Sequence, residues 1–150
     1  MATMNRTYIE GQMRESGLKV TPQRFAVLEH ISATCDHPTA DEIFNAINKQ
    51  FPRASRATVY NTVMALAQTG MITALCLDDG ITRYDANLEA HHHFVCHSCR
   101  KIYDVASSEV HGKLEALTLH QVEAYEVILR GRCQRCQEKQ AKKLKRIARS

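Results

Sequence analysis

No stretch of this 150-residue sequence is apolar over enough length to span a bilayer. The first residues carry Arg6 and Glu10 instead of the apolar core of a secretory signal. These absences argue against a membrane helix and lead us to expect a cytoplasmic protein. The sequence also lacks an internal repeat, and it has no H-E-x-x-H segment of the kind that builds a hydrolytic zinc site. Acidic residues are missing from one region in particular. Residues 139–150 hold Lys139, Lys142, Lys143, Lys145, Arg146 and Arg149 with no acid, so the rest of the chain has fourteen bases against sixteen acids, a net of −2. The formal charge of +4 therefore belongs to the tail, and a nucleic-acid reading needs support from elsewhere.

The six cysteines are informative because cytosolic thiols stay reduced, which disfavours a disulfide framework. Cys96-His-Ser-Cys99 and Cys133-Gln-Arg-Cys136 are two C-x-x-C pairs, while Cys35 and Cys76 stand alone. A two-residue spacer lets both sulfurs of a pair grip one ion, and two pairs complete a tetrahedron around Zn2+. Four thiolates leave no open position, so such a zinc is structural and not catalytic.

The first half of the chain reads as helical. Thr21 is an N-cap with Pro22 at the first helical position, followed by Phe25, Leu28 and Ile31. Thr39-Ala-Asp-Glu42 is a capping box ahead of Ile43, Ala46 and Ile47. Ser55 caps a third helix running to about Thr69, with Gly70 as its stop. Val59, Val63 and Leu66 lie on one side of that helix, and Ala57, Tyr60, Asn61, Met64 and Gln68 on the other. Residues 71–77 and 81–85 then read as strands joined by Asp78-Asp79-Gly80. Three helices and a hairpin outline a winged helix-turn-helix whose third helix enters a DNA major groove. The candidate DNA contacts are Arg53, Ser55, Arg56, Thr58, Tyr60 and Asn61, at and just inside that helix's N-terminal end.

The second half reads as strands over 91–96, 101–105 and 125–130, with a helix over roughly 107–117. His91 and His93 alternate by two, so both imidazoles share one face of a strand and His92 takes the other. Asp85, Asp104 and His37 are candidates to approach the same ion. Imidazole with carboxylate suits Fe2+, Mn2+ or Zn2+. Two histidines and a carboxylate would also serve a metal-dependent hydrolase, and a zinc-stabilised adaptor without DNA contact is a third reading.

The segments LKVTPQR (18–24), RASRATVYNTV (53–63), DDGITRYD (78–85), HHHFVCHSC (91–99), KIYDV (101–105) and GRCQRC (131–136) resemble the ferric uptake regulator family of bacterial metal-responsive repressors. The resemblance implies an α+β protein with a winged-helix DNA-binding domain over 1–84 and a hinge over 85–90. A dimerisation and metal-binding α/β domain over 91–138, holding the four-cysteine zinc, and a basic tail over 139–150 complete it. It further implies a homodimer that binds operator DNA and is not an enzyme. His37, Asp85, His91, His93 and Asp104 are then the ligands of a regulatory Fe2+ or Mn2+. Aspartates at 85 and 104 resemble the peroxide-sensing branch, in which Fe2+ promotes oxidation of His37 or His91. The alternative within the family is an iron- or zinc-responsive uptake repressor.

Overall fold

A computed structural model describes residues 6–34, 36–52, 54–77, 80–110 and 120–147. The chain divides into two compact units, Met1–Glu89 and Ala90–Ser150. Cys35, Arg53, the Asp78-Asp79 turn and most of the helix expected over 107–117 lie outside the described residues.

Unit 1 opens with a helix that the sequence reading did not anticipate, α1 (Arg6–Glu15). Only Ile9 and Met13, one turn apart, are buried from it, and its outer side carries the Arg6–Glu10 ion pair at 2.9 Å. The expected caps are in place for the next three helices. The Thr21 side chain accepts from the Arg24 N–H at the start of α2 (Pro22–Ala33). Thr39 and Glu42 exchange both bonds of the capping box at α3 (Ala40–Ile47), with Thr39 N–H to Glu42 Oε2 at 2.8 Å. Ser55 accepts from the Thr58 N–H at α4 (Arg56–Gln68).

Ile31, Ile43, Val59, Val63 and Leu66 interlock in one core on the inner faces of α2, α3 and α4. The hairpin β1 (Thr73–Cys76) and β2 (Thr82–Asp85) is antiparallel, with Thr73 opposite Asp85. It is tied to the helices by Tyr84, which is buried in the core and whose N–H donates to the Pro38 carbonyl at 3.0 Å. That single backbone bond sets the C-terminal end of β2 beside the entry to α3.

Unit 2 is a three-stranded sheet in the order β4-β3-β5, formed by β3 (His91–Cys96), β4 (Ile102–Ala106) and β5 (Ile128–Gly131). β3 pairs antiparallel with β4 and parallel with β5. Where a helix was expected to begin at 107, Ser107–Glu109 form a 3-10 turn. α5 (Gln134–Ile147) begins at the second cysteine pair and continues into the basic stretch as far as Ile147. Among the described residues no helix is long and apolar enough to cross a membrane.

The core assignments of unit 1 make a stability forecast. Leu66 is wholly buried, so Leu66→Ala should cost about 2–5 kcal/mol. Thr39→Ala, which removes the capping box, should cost about 1 kcal/mol. Urea denaturation of the two variants beside the parent chain checks both the values and their order.

Candidate metal centres

The parallel pairing of β3 with β5 explains how cysteine pairs 33 residues apart reach one another. Parallel strands end at the same edge of a sheet, so the turn after β3 and the turn after β5 emerge side by side. Cys96 stands opposite Gly131 in the register, and the His97 N–H donates to the Gly131 carbonyl at 2.9 Å. Gly131 permits this closeness, since a Cβ there would lie 3.1 Å from the Phe94 ring. The first knuckle closes on itself through the Arg100 N–H, which donates to the Cys96 carbonyl at 2.8 Å with Arg100 at a positive φ of 61°. The second is the first turn leading into α5, with the Cys136 N–H donating to the Cys133 carbonyl at 3.0 Å.

All four sulfurs lie within 4.8 Å of one another. Tetrahedral Zn–S bonds of about 2.3 Å place sulfurs roughly 3.8 Å apart, and Cys99 Sγ and Cys133 Sγ are 3.7 Å apart. At Cys96 and Cys133 the surroundings favour the thiolate. Burial pushes the Cys96 thiol up, but backbone N–H groups of Cys133, Cys99 and Ser98 outweigh it and hold it at about 6. Cys133 is lowered chiefly by the Tyr103 hydroxyl, with help from the Cys136 N–H. Cys136 is pushed up to about 12 by burial and by the neighbouring thiols. Four thiolates this close repel one another, and a divalent cation removes that repulsion.

The imidazole–carboxylate residues occur in both units. In unit 2, His91 and His93 lie on the same face of β3, and Asp104 of β4 stands opposite His93. The two Nε2 atoms face each other at 3.0 Å, and His91 Nε2 lies 3.9 Å from Asp104 Oδ1. His93 is 3% exposed. His92, on the other face as alternation requires, is also buried and packs its ring against Tyr125 at 5.2 Å.

In unit 1, His37 and Asp85 are brought together by the Tyr84–Pro38 backbone bond, each being the next residue outward. His37 Nε2 is 3.6 Å from Asp85 Oδ2, and both side chains are buried. His37 adopts a positive φ of 48°, an uncommon conformation for any residue but glycine, which turns its ring inward. Asp85 Oδ1 accepts from the Asn87 N–H at 2.8 Å. Each unit thus presents two or three imidazole or carboxylate donors and no sulfur in this set, a composition suited to Fe2+, Mn2+ or Zn2+.

The candidate DNA contacts fall on and before α4. Ala57, Tyr60, Asn61, Met64 and Gln68 are all exposed, on the side away from Val59, Val63 and Leu66. The hydroxyls of Ser55 and Thr58 share a 2.8 Å hydrogen bond at the helix start. The guanidinium of Arg56, an expected DNA contact, pairs with Asp41 and lies over the Phe44 ring. Sequence reasoning missed that pair, and it also missed Glu126, whose Oε1 lies 2.7 Å from His93 Nδ1. Neither follows a local spacing rule. The lone Cys76 is exposed, with its sulfur 3.7 Å from the Thr82 hydroxyl.

A family model described as the ferric uptake regulator family matches residues 15–130, so the second cysteine pair lies beyond the match and rests on its own geometry. The chain is 35% identical over 111 residues to the peroxide-responsive repressor PerR of Staphylococcus aureus, covering 74% of each protein. Among solved structures it is similar to the Helicobacter pylori ferric uptake regulator Fur, with a TM-score of 0.75 at 22% identity over 90% of this chain and 95% of that one. It is also similar to a Campylobacter jejuni peroxide stress regulator, with a TM-score of 0.65 at 27% identity over 87% and 97%.

Because few apolar side chains are buried among the described residues of unit 2, each of the four sulfurs should matter alike. Replacing any one of Cys96, Cys99, Cys133 or Cys136 with Ser should abolish tight zinc retention and remove hydrogen-exchange protection from β3 and β5, while leaving α2–α4 protected. Exchange mass spectrometry with metal analysis checks this, and full protection of β3 in the zinc-free variants would contradict it.

Proposed function

The chain belongs to the ferric uptake regulator family and is a metal-dependent, DNA-binding transcriptional repressor, and we propose that the signal it reads is peroxide. The observation that carries the proposal is the donor chemistry at His37, Asp85, His91, His93 and Asp104: three imidazoles and two aspartates, without sulfur. We assign these five residues to one regulatory Fe2+ or Mn2+, and Cys96, Cys99, Cys133 and Cys136 to a structural Zn2+. Similarity to a peroxide-responsive repressor supports the branch.

The residues divide the work by hardness and completeness. Four thiolates saturate zinc and hold it regardless of signal. The oxygen and nitrogen set binds more weakly and exchangeably, as a sensor requires, and its aspartates neutralise the cation. Fe2+ held by these residues would supply the redox chemistry for peroxide as the oxidant, next to the ring carbons of the ligands. His37 and His91 are the rings we assign as oxygen acceptors, and an oxidised imidazole is a poor donor. Loss of the cation then ends the conformation that binds DNA.

In the DNA-binding form a homodimer presents two copies of α4 to an operator with matching two-fold symmetry. We assign Tyr60 and Asn61 to the base edges and flanking backbone, and Arg53, Ser55, Arg56 and Thr58 to phosphates. The Arg56–Asp41 pair is exposed, so exchanging the carboxylate for a phosphate costs little.

Operator retention and intact mass, measured together after peroxide treatment, test the reading. The Fe2+-loaded protein should lose operator binding and gain one oxygen on His37 or His91, whereas the Mn2+-loaded protein should keep binding and remain unoxidised. Undiminished binding by Fe2+-loaded, peroxide-treated protein would instead favour an iron- or zinc-responsive uptake repressor. Separately, Asn61→Ala should cost about 1–3 kcal/mol of operator affinity and relax base preference at one position, which a competition assay with single-base operator variants reads directly.

A further inference from the structure

A carboxylate sits behind His93, one of two buried histidines of unit 2, at a position that the function described above leaves without a role. β3 and β5 pair in parallel with His93 opposite Ile128, and the His93 N–H donates to the Val127 carbonyl at 3.0 Å. That register sets Glu126, the residue just before Val127, beside the His93 ring. Its Oε1 lies 2.7 Å from Nδ1, the length of a charge-assisted hydrogen bond. The other ring nitrogen, Nε2, points away from Glu126 and faces His91 Nε2 at 3.0 Å.

The two contacts fix the proton inventory of the pair. A neutral imidazole carries one proton, on Nδ1 or on Nε2. An ionised carboxylate can only accept, so the Glu126 contact holds the His93 proton on Nδ1 and leaves Nε2 with its lone pair free for a metal. The 3.0 Å separation from His91 then requires His91 to donate from its own Nε2 when no cation is present. A cation that takes both Nε2 atoms requires His91 to carry its proton on Nδ1 instead, a change of tautomer without net proton release, and requires no change at His93. Burial sharpens the effect, because the His93 side chain is only 4% exposed and has little water to compete for Nδ1. Glu126 stands on the far side of the imidazole from Nε2, so the ring separates it from any cation bound there.

We propose that Glu126 is a positioning residue for the regulatory cation, fixing the tautomer and orientation of His93 and strengthening Nε2 as a donor through its negative charge. The inference rests on the assignment of His91 and His93 to a metal. A carboxylate hydrogen-bonded to a ligating imidazole raises its basicity, and loss of such a partner typically weakens metal binding about 10–100-fold. The same carboxylate locks the ring against rotation, so a shorter or neutral replacement should keep part of the effect and a methyl group none.

The test is a Mn2+ titration of the full-length, zinc-containing protein by calorimetry, comparing the parent chain with Glu126→Gln, Glu126→Asp and Glu126→Ala. Zinc content and thermal midpoint are recorded for each. Glu126→Ala should weaken Mn2+ binding about 10–100-fold with zinc content unchanged. Glu126→Gln, which keeps an acceptor oxygen but no charge, should fall between that variant and the parent, an ordering that a merely structural role would not produce. Mn2+ affinity within twofold of the parent for Glu126→Ala would overturn the inference while leaving the metal site intact. Absence of Mn2+ binding by the parent chain would overturn the site assignment and this inference with it, so the two failures are distinguishable. A zinc loss or a large fall in midpoint that accompanies weakened Mn2+ binding, with Gln no better than Ala, would assign Glu126 to folding and also overturn it.

Discussion

Among the described residues of unit 2 few apolar side chains are buried, and its strands and turns converge on four sulfurs instead. Among its described residues the buried apolar side chains are Ile102 with Cys96 and Cys133, and the other buried groups are His92 and His93. Unit 1, by contrast, encloses a continuous aliphatic cluster. Where a small unit buries few apolar side chains, a structural metal is the usual substitute. Four converging sulfurs are placed to hold one. The parallel β3–β5 pairing, Gly131 against Phe94 and the start of α5 at the second knuckle are the means by which those sulfurs meet.

With a zinc held by those sulfurs, β3 would be free to use its buried positions for chemistry. His91 and His93 occupy places that an ordinary sheet would fill with Val or Ile, and Asp104 and Glu126 flank them from β4 and from the residue ahead of β5. Unit 1 makes a similar substitution on a smaller scale, burying His37 and Asp85 at the edge of a core that is otherwise complete. Buried polar groups of this kind cost stability unless they have partners. They are tolerated where a function needs them, and an exchangeable cation is the function their donor types fit. The division between soft sulfur for permanence and harder nitrogen and oxygen for exchange is the chemical basis of a switch.

Much of this was legible from short-range rules. Thr21, Thr39 with Glu42, and Ser55 announced three helix starts, and all three caps are formed. The two C-x-x-C pairs and the alternation of His91 with His93 announced the donors. α1 was not legible because only Ile9 and Met13 mark its buried side and Gly11 interrupts its propensity. The 3-10 turn at Ser107–Glu109 replaced the start of an expected helix, since three apolar residues at helical spacing do not specify a helix without a cap. Glu126 and the Asp41–Arg56 pair depend on strand register and on the packing of α3 against α4, which no local pattern encodes. The Asp41 partner of Arg56 was hidden for the same reason, since a cation at a helix start pairs with a neighbouring carboxylate as readily as with a phosphate.

The central claim is that one chain carries two metal sets, one holding the fold and one controlling DNA binding. Graded chelation of the metal-loaded protein, followed at once by fluorescence anisotropy on operator DNA and by hydrogen exchange at β3 and β5, separates them. The account predicts two phases: DNA is released first, with β3 and β5 still protected, and their protection is lost only later, as zinc leaves. A single phase, in which DNA release and loss of protection coincide at every chelator concentration, would contradict it.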